Sequence, residues 1–235
     1  MGRISGVLMA LIGVILWYYG GVSGISVMVN LGIATIIIGL VVGALPGDVD
    51  RASLRLACGS LCTFIKNLSE ELGVREKAVV IPPCENLPKG GLFLPKSDEF
   101  SLALGKFREG MVFVEGPEEE SGILISPPPG WDIVEYVLNN AGDMGGAGWS
   151  YSSKAVSAAL SALGIGAARV FESEGGFEVL VKPVCDTPCA DPVLVSVLLS
   201  IAIGTGELLL LDSVEAEGGH FKAKIRRLGG VGEWL

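Results

Sequence analysis

Four of the five cysteines form two short-spaced pairs, Cys58-x-x-x-Cys62 and Cys185-Asp-Thr-Pro-Cys189, and these residues hold the chain's clearest capacity for chemistry. Two such pairs can bring four thiolates to one Zn²⁺ in a tetrahedral site, for which spacings of two to four residues are usual. A disulfide between Cys185 and Cys189 is a second use of the same residues. A third is plain burial, since free cysteine packs as a small hydrophobe. The spacing leaves all three open, and Cys84 is left over. Redox catalysis needs a thiolate of lowered pKa. Cys189 lies just before an expected helix start, but Asp186 and Asp191 beside it oppose thiolate formation.

Other reactive groups are few. His220 is the single histidine, which excludes a multi-histidine metal centre, and its setting in Glu217-Gly-Gly-His220 reads as an exposed turn. No Gly-x-Ser-x-Gly elbow accompanies it. The glycine-rich run Gly142–Gly148 could cradle phosphate through backbone N–H groups, but it lacks the Lys-Ser/Thr ending of a P-loop. With no complete catalytic motif, no catalytic residue is assigned. The expected function is a non-catalytic module that binds a protein partner or small ligand. The alternative is a cysteine-based zinc or redox protein at a membrane, and zinc is the only cofactor considered.

The residues before position 48 belong to another solvent. From Ile4 to Leu45 there is no charged side chain. Two apolar runs, Ile4–Tyr19 and Ile25–Leu45, flank Gly20–Gly24. A helix needs about 20 apolar residues to cross a ~30 Å hydrocarbon core, and helices satisfy their own backbone polar groups there. Residues 1–47 are therefore expected to form a transmembrane helical hairpin in a lipid bilayer. The second run meets the length outright, and the first does so if Gly20–Val22 continue it. Trp17, Tyr18 and Tyr19 sit where an interfacial aromatic belt belongs. A cleaved signal peptide would use Arg3 and Ile4–Leu16, but no small-x-small site follows and a second apolar run comes at once. Arg3 at one end, Arg51 and Arg55 at the other, and no Lys or Arg between them place both termini in the cytoplasm by the positive-inside rule. Gly39 and Gly43, with Gly6 and Ala10, have the spacing that lets helix backbones approach closely, either within the hairpin or in a homodimer.

The remainder is acidic. Arg3 is the one basic residue among 17 that precedes Asp48, so the rest carries 16 basic against 26 acidic side chains, a net of −10. That field repels phosphate backbones, and no nucleic-acid partner is expected. The chain has no Gln and five Asn, a thermophile trait, and hyperthermophiles do keep intracellular disulfides.

The elements that must position the cysteines follow from periodicity. Leu54, Cys58, Leu61, Ile65, Leu68 and Leu72 make one apolar stripe on a helix capped by Asp50 and ended by Gly73, within a membrane-proximal segment 48–75. Strands are predicted at Ala78–Ile81, Gly91–Leu94, Met111–Glu115 and Gly122–Ile125, in a small β-rich subdomain 76–149 with Pro/Gly-rich loops and a short helix from Trp131. A second subdomain, 150–229, reads helix, strand, strand, helix, strand, strand. Its first helix, Lys154–Leu163, is capped by Ser152 or Ser153. Its second, Val193–Ile203, has Asp191 as cap and Pro192 at the first position, and is apolar on nearly every side, as a buried core helix is. Two helix breakers and a carboxylate in Gly204-Thr-Gly-Glu207 argue against a third span there. Residues 230–235 read as a tail. The fold class is α+β, with an antiparallel sheet and helices on one face.

The two amino-terminal spans, the helix after them, Pro127-Pro-Pro-Gly130, the Cys185–Cys189 segment and the closing strand pair resemble an archaeal two-span membrane-protein family with no established activity. Val184–Arg227 is also similar to the carboxyl-terminal part of small-molecule-binding domains of the vinyl-reductase type. That second resemblance implies ligand binding.

Overall fold

The computed structural model describes residues 2–44, 51–74 and 77–234, and the chain divides into two compact units, Met1–Asp50 and Arg51–Leu235. The first is a helix pair, α1 (Gly2–Ser23) and α2 (Ser26–Ala44), turned at Gly24 with φ +68°. The helices run antiparallel with a seam of small residues. Gly13 lies against Ile36 and Gly32, Gly20 against Val29, and Gly39 against Ala10 and Gly6. Gly6, Ala10 and Gly39 thus serve the contact between α1 and α2. Gly43 lies in α2, but its surroundings are outside the described residues. Large apolar side chains point away from the seam: Val7, Leu11, Ile15, Val27 and Leu40 are exposed.

Helix lengths fall the other way round from the sequence expectation. Gly6–Ser23 is long and apolar enough to cross a membrane by length and composition, whereas the apolar stretch of α2, Ser26–Val42, is shorter. The reason is local. Gly20–Ser23 continue α1, and Ile25 is taken up in the turn, donating its N–H to the Gly20 carbonyl.

The second unit is α+β. It begins with α3 (Arg51–Glu71); its expected cap, Asp50, lies outside the described residues. Then follow β1 (Ala78–Ile81), β2 (Gly91–Pro95), β3 (Phe113–Val114), β4 (Gly122–Ile125), α4 (Trp131–Ala141), α5 (Trp149–Ala162), β5 (Ala168–Ser173), β6 (Gly176–Val181), α6 (Pro192–Thr205), β7 (Glu207–Glu217) and β8 (His220–Gly230). One eight-stranded antiparallel sheet runs in the order β3-β4-β2-β1-β7-β8-β6-β5. Segments 76–149 and 150–229 are therefore halves of one sheet, because β7 pairs with β1 (Val79↔Leu210) as well as with β8.

Strand alternation sends the two sheet faces into different cores. Ala78, Val80, Leu92, Leu209 and Leu211 face α4, α5 and α6. Val79, Ile81, Phe93, Leu208 and Leu210 face a layer built from Leu87, Leu102, Leu104 and Phe107. Trp234 packs on this second layer and its Nε1 donates to the Leu228 carbonyl at 3.1 Å, so the carboxyl-terminal residues are structural.

The expected core helix is α6. Asp191 caps it, Pro192 opens it, Gly206 closes it with φ 71°, and Val193 to Ala202 are buried on every side. The first helix of the second half departs from expectation. α5 starts at Trp149, five residues early, and Ser152 and Ser153 are buried inside it. Trp149 stacks on Phe177 with centroids 5.6 Å apart, which commits the helix to begin there. The glycine-rich run before it is absorbed into packing: Met144 is fully buried, Gly148 N–H donates to the Gly204 carbonyl, and Gly145 N–H is taken by Asp143. A phosphate would meet that carboxylate.

Gly130 shows how closely α4 and α6 start together. Its φ is +82°, and a Cβ there would overlap the Pro192 carbonyl. Gly130→Ala is therefore expected to destabilise the full chain in detergent by about 2 kcal/mol or more. A thermal melt reads this, and an unchanged midpoint would contradict the packing.

Candidate functional site

The cysteine pairs meet where α3 lies on the loop before α6. On α3, Leu54, Cys58, Ile65 and Leu68 turn inward, and Cys62 with them. Leu61, expected on the buried stripe, is 52% exposed, and Leu56 and Phe64 on the same outward side are 82% and 62% exposed. The buried face is thus centred nearer Cys62 than the apolar spacing indicated. Cys62 and Ile65 form a small core with Cys185 and Ala190, against which Cys58 packs.

Asp191 holds the loop that presents Cys185. Its carboxylate is fully buried and accepts from the N–H groups of Val184, Cys185 (2.8 Å) and Leu194 (2.8 Å). One side chain therefore caps α6 and folds Val184–Cys185 back over the helix start. Burial raises the Asp191 pKa, and the backbone N–H donors counter only part of that shift.

With its backbone fixed, Cys185 faces α3 and forms a disulfide with Cys62, at a Cα–Cα distance of 6.3 Å and across 123 residues. This corrects the expected Cys185–Cys189 pairing. A 3-10 turn at Pro188–Ala190 separates the two residues: Cys185 faces the small α3 core, while Cys189 packs into the main core under α6. The four cysteines do gather around one junction, but two are joined to each other. Among the described residues no group of three or more His, Cys, Asp or Glu is placed to hold a metal ion. The Cys58 thiol has its pKa raised, by burial first and then by the nearby Asp191 charge, which is the reverse of an activated nucleophile. Cys84 lies apart, bridging to Leu87 on the other face of the sheet. His220 is exposed, its Nδ1 3.2 Å from the Gly218 carbonyl.

Beside this junction opens a cleft of about 820 Å³. One wall is α3, through Arg55, Thr63, Lys66 and Asn67. The second is the loop Val184–Cys189 with the disulfide, and the third is the far half of β7 with Phe221 of β8. Its lining mixes both charges with hydroxyl and apolar groups. The sequence shows none of this. Cys62–Cys185 has no local spacing to mark it, and Asp191 reads from sequence as a helix cap only. No family model, curated protein or solved structure matches the chain.

Two measurements test the junction. In unreduced, denatured full-length protein three of five cysteines should react with a thiol reagent, and five after reduction. Cys62→Ser should lower stability by about 2–4 kcal/mol, while Cys84→Ser should not remove a disulfide; five reactive thiols without reduction would contradict the pairing. Asp191 carries a pH signature. Because its folded pKa is raised, the folded state binds that proton more tightly than the unfolded chain. Its contribution is fully present below the unfolded carboxyl value and is lost as pH rises through the raised folded value. Asp191→Asn should flatten that part of the stability–pH curve. It should also cost about 1–3 kcal/mol, since an amide nitrogen cannot accept from the orphaned N–H groups. A variant with the wild-type slope would sink this account.

Proposed function

We propose that the chain is a membrane-anchored, non-catalytic module that offers the α3 cleft of its Arg51–Leu235 domain to a protein partner or small ligand. The observation that carries the anchor is the inverted packing of the first unit. Its small residues are at the α1–α2 seam, and its large apolar side chains point outward with no charge among them. In water this arrangement would expose a continuous apolar surface on both helices, far beyond what a monomer tolerates. In lipid it is the ordinary arrangement, because close backbone packing rather than burial of large side chains holds such helices together. The reading includes two spans, with Arg3, Arg51 and Arg55 keeping both termini cytoplasmic in the cell membrane. It accords with the archaeal two-span resemblance. The observation that favours binding is the cleft, lined by groups of several chemistries. Binding sites are typically concave, with a few polar groups set among apolar ones.

A second reading, a cysteine-based redox or zinc protein, is favoured by one fact: Cys62, Cys185 and Cys189 all line the cleft. Metal analysis of the reduced full chain separates the two, since stoichiometric zinc uptake supports the second and none supports the first. For the anchor, full-length protein in a membrane fraction should resist alkaline carbonate washing and leave only with detergent. Release by carbonate alone would overturn the anchored reading.

A further inference from the structure

The far half of β7 is a sheet edge beside the cleft. β1 covers β7 only from Leu209 to Leu211, whereas β7 continues to Glu217 with β8 on its other side. Among the described residues no strand lies against that last stretch. The chain leading to β1 begins otherwise: Gly73 and Val74 spend their N–H groups on Glu70 and Ser69 carbonyls at the end of α3.

The direction of the edge groups follows from the hairpin. β7 and β8 are joined by the two-residue loop Gly218–Gly219, with φ +57° and +76°. Such a loop is closed by a hydrogen-bonded pair, here Glu217↔His220. Pairs alternate along an antiparallel ladder, so Glu215↔Lys222 bond to each other. Val214 and Ala216 then turn their N–H and C=O groups to the open side. Backbone donors and acceptors require partners. The same two residues line the cleft, with Phe221 next to them.

We propose that this half of β7 is a strand-addition site for an extended peptide segment of a protein partner. The peptide's alternate apolar side chains enter the cleft over Val214, Ala216 and Phe221. This rests on, and sharpens, the reading that the cleft serves a partner. Two sets of donor and acceptor about 7 Å apart along the strand match the repeat of an extended backbone. A second copy of the chain is a poor occupant. It would bring its own Asp212, Glu215 and Glu217 against the same carboxylates, and like charges across strands repel.

The test uses full-length protein in detergent micelles and three fluorescein-labelled hexapeptides in which Thr alternates with Val, Leu or Phe. At least one should bind saturably by fluorescence anisotropy. N-methylation of the alternate amides facing the edge should weaken it about 10-fold or more, and methylation of the other set should not. Ala216→Pro, which removes an edge donor and spares the β8 ladder, should weaken the unmodified peptide similarly, with an unchanged thermal melt. The methylated peptides test wild-type protein, so they hold even if that variant fails to fold. Equal binding of both methylated sets overturns strand addition; if Gly59→Trp in the α3 wall then abolishes binding, the cleft reading survives without it. No saturable binding by any peptide up to about 1 mM overturns the proposal. So does a wild-type dimer that Ala216→Pro dissociates, which would assign the edge to a second copy.

Discussion

The soluble unit depends on one buried carboxylate. Asp191 starts α6, the helix around which the main core closes, and it also fastens the loop that carries Cys185. A carboxylate with no solvent contact is costly unless its lone pairs are occupied, and here three backbone N–H groups converge on it. The consequences run outward from that cage. The loop orientation puts Cys185 opposite Cys62, the disulfide ties α3 to the domain, and α3 then forms a wall of the cleft.

The sheet supplies the rest of the cleft through the length of one strand. β7 has 11 residues, and its neighbours on the two sides are unequal. Its first half joins the two halves of the sheet and is buried, while its second half leaves the core and carries exposed residues. A bulge between Leu211 and Ser213 marks the change. Bulges and charges at such edges are the usual protection against uncontrolled pairing, and Asp212, Glu215 and Glu217 provide the charge. The helix pair obeys the opposite packing rule. In the domain, large side chains point in and polar ones out. In α1 and α2, glycines mark the contact and isoleucine, leucine and valine face away from it.

Much of this was legible in the chain itself. The four strands of the first half, the hairpin of β5 and β6, the Asp191-Pro192 start of α6 and the closing β7–β8 pair follow from alternation and from residues with one local physical role. Misreadings arose where a distant partner outweighed local preference. Ser152 and Ser153 have the chemistry of helix caps, yet Trp149 found Phe177 and drew the helix start five residues earlier. Leu61 fits the apolar stripe of α3, but Cys62 faces the core because Cys185 and Ala190 are there to meet it.

The division is physical. Sequence alone determined which segments are helix, which are strand, that the fold is α+β, and that an uncharged opening stretch precedes an acidic domain, because periodicity, caps and charge act over a few residues. Tertiary structure decided that Cys185 bonds Cys62 and not Cys189, that the two halves share one sheet through β7, and that a cleft opens beside α3. Those depend on contacts between residues over a hundred positions apart, and no local pattern encodes such a meeting.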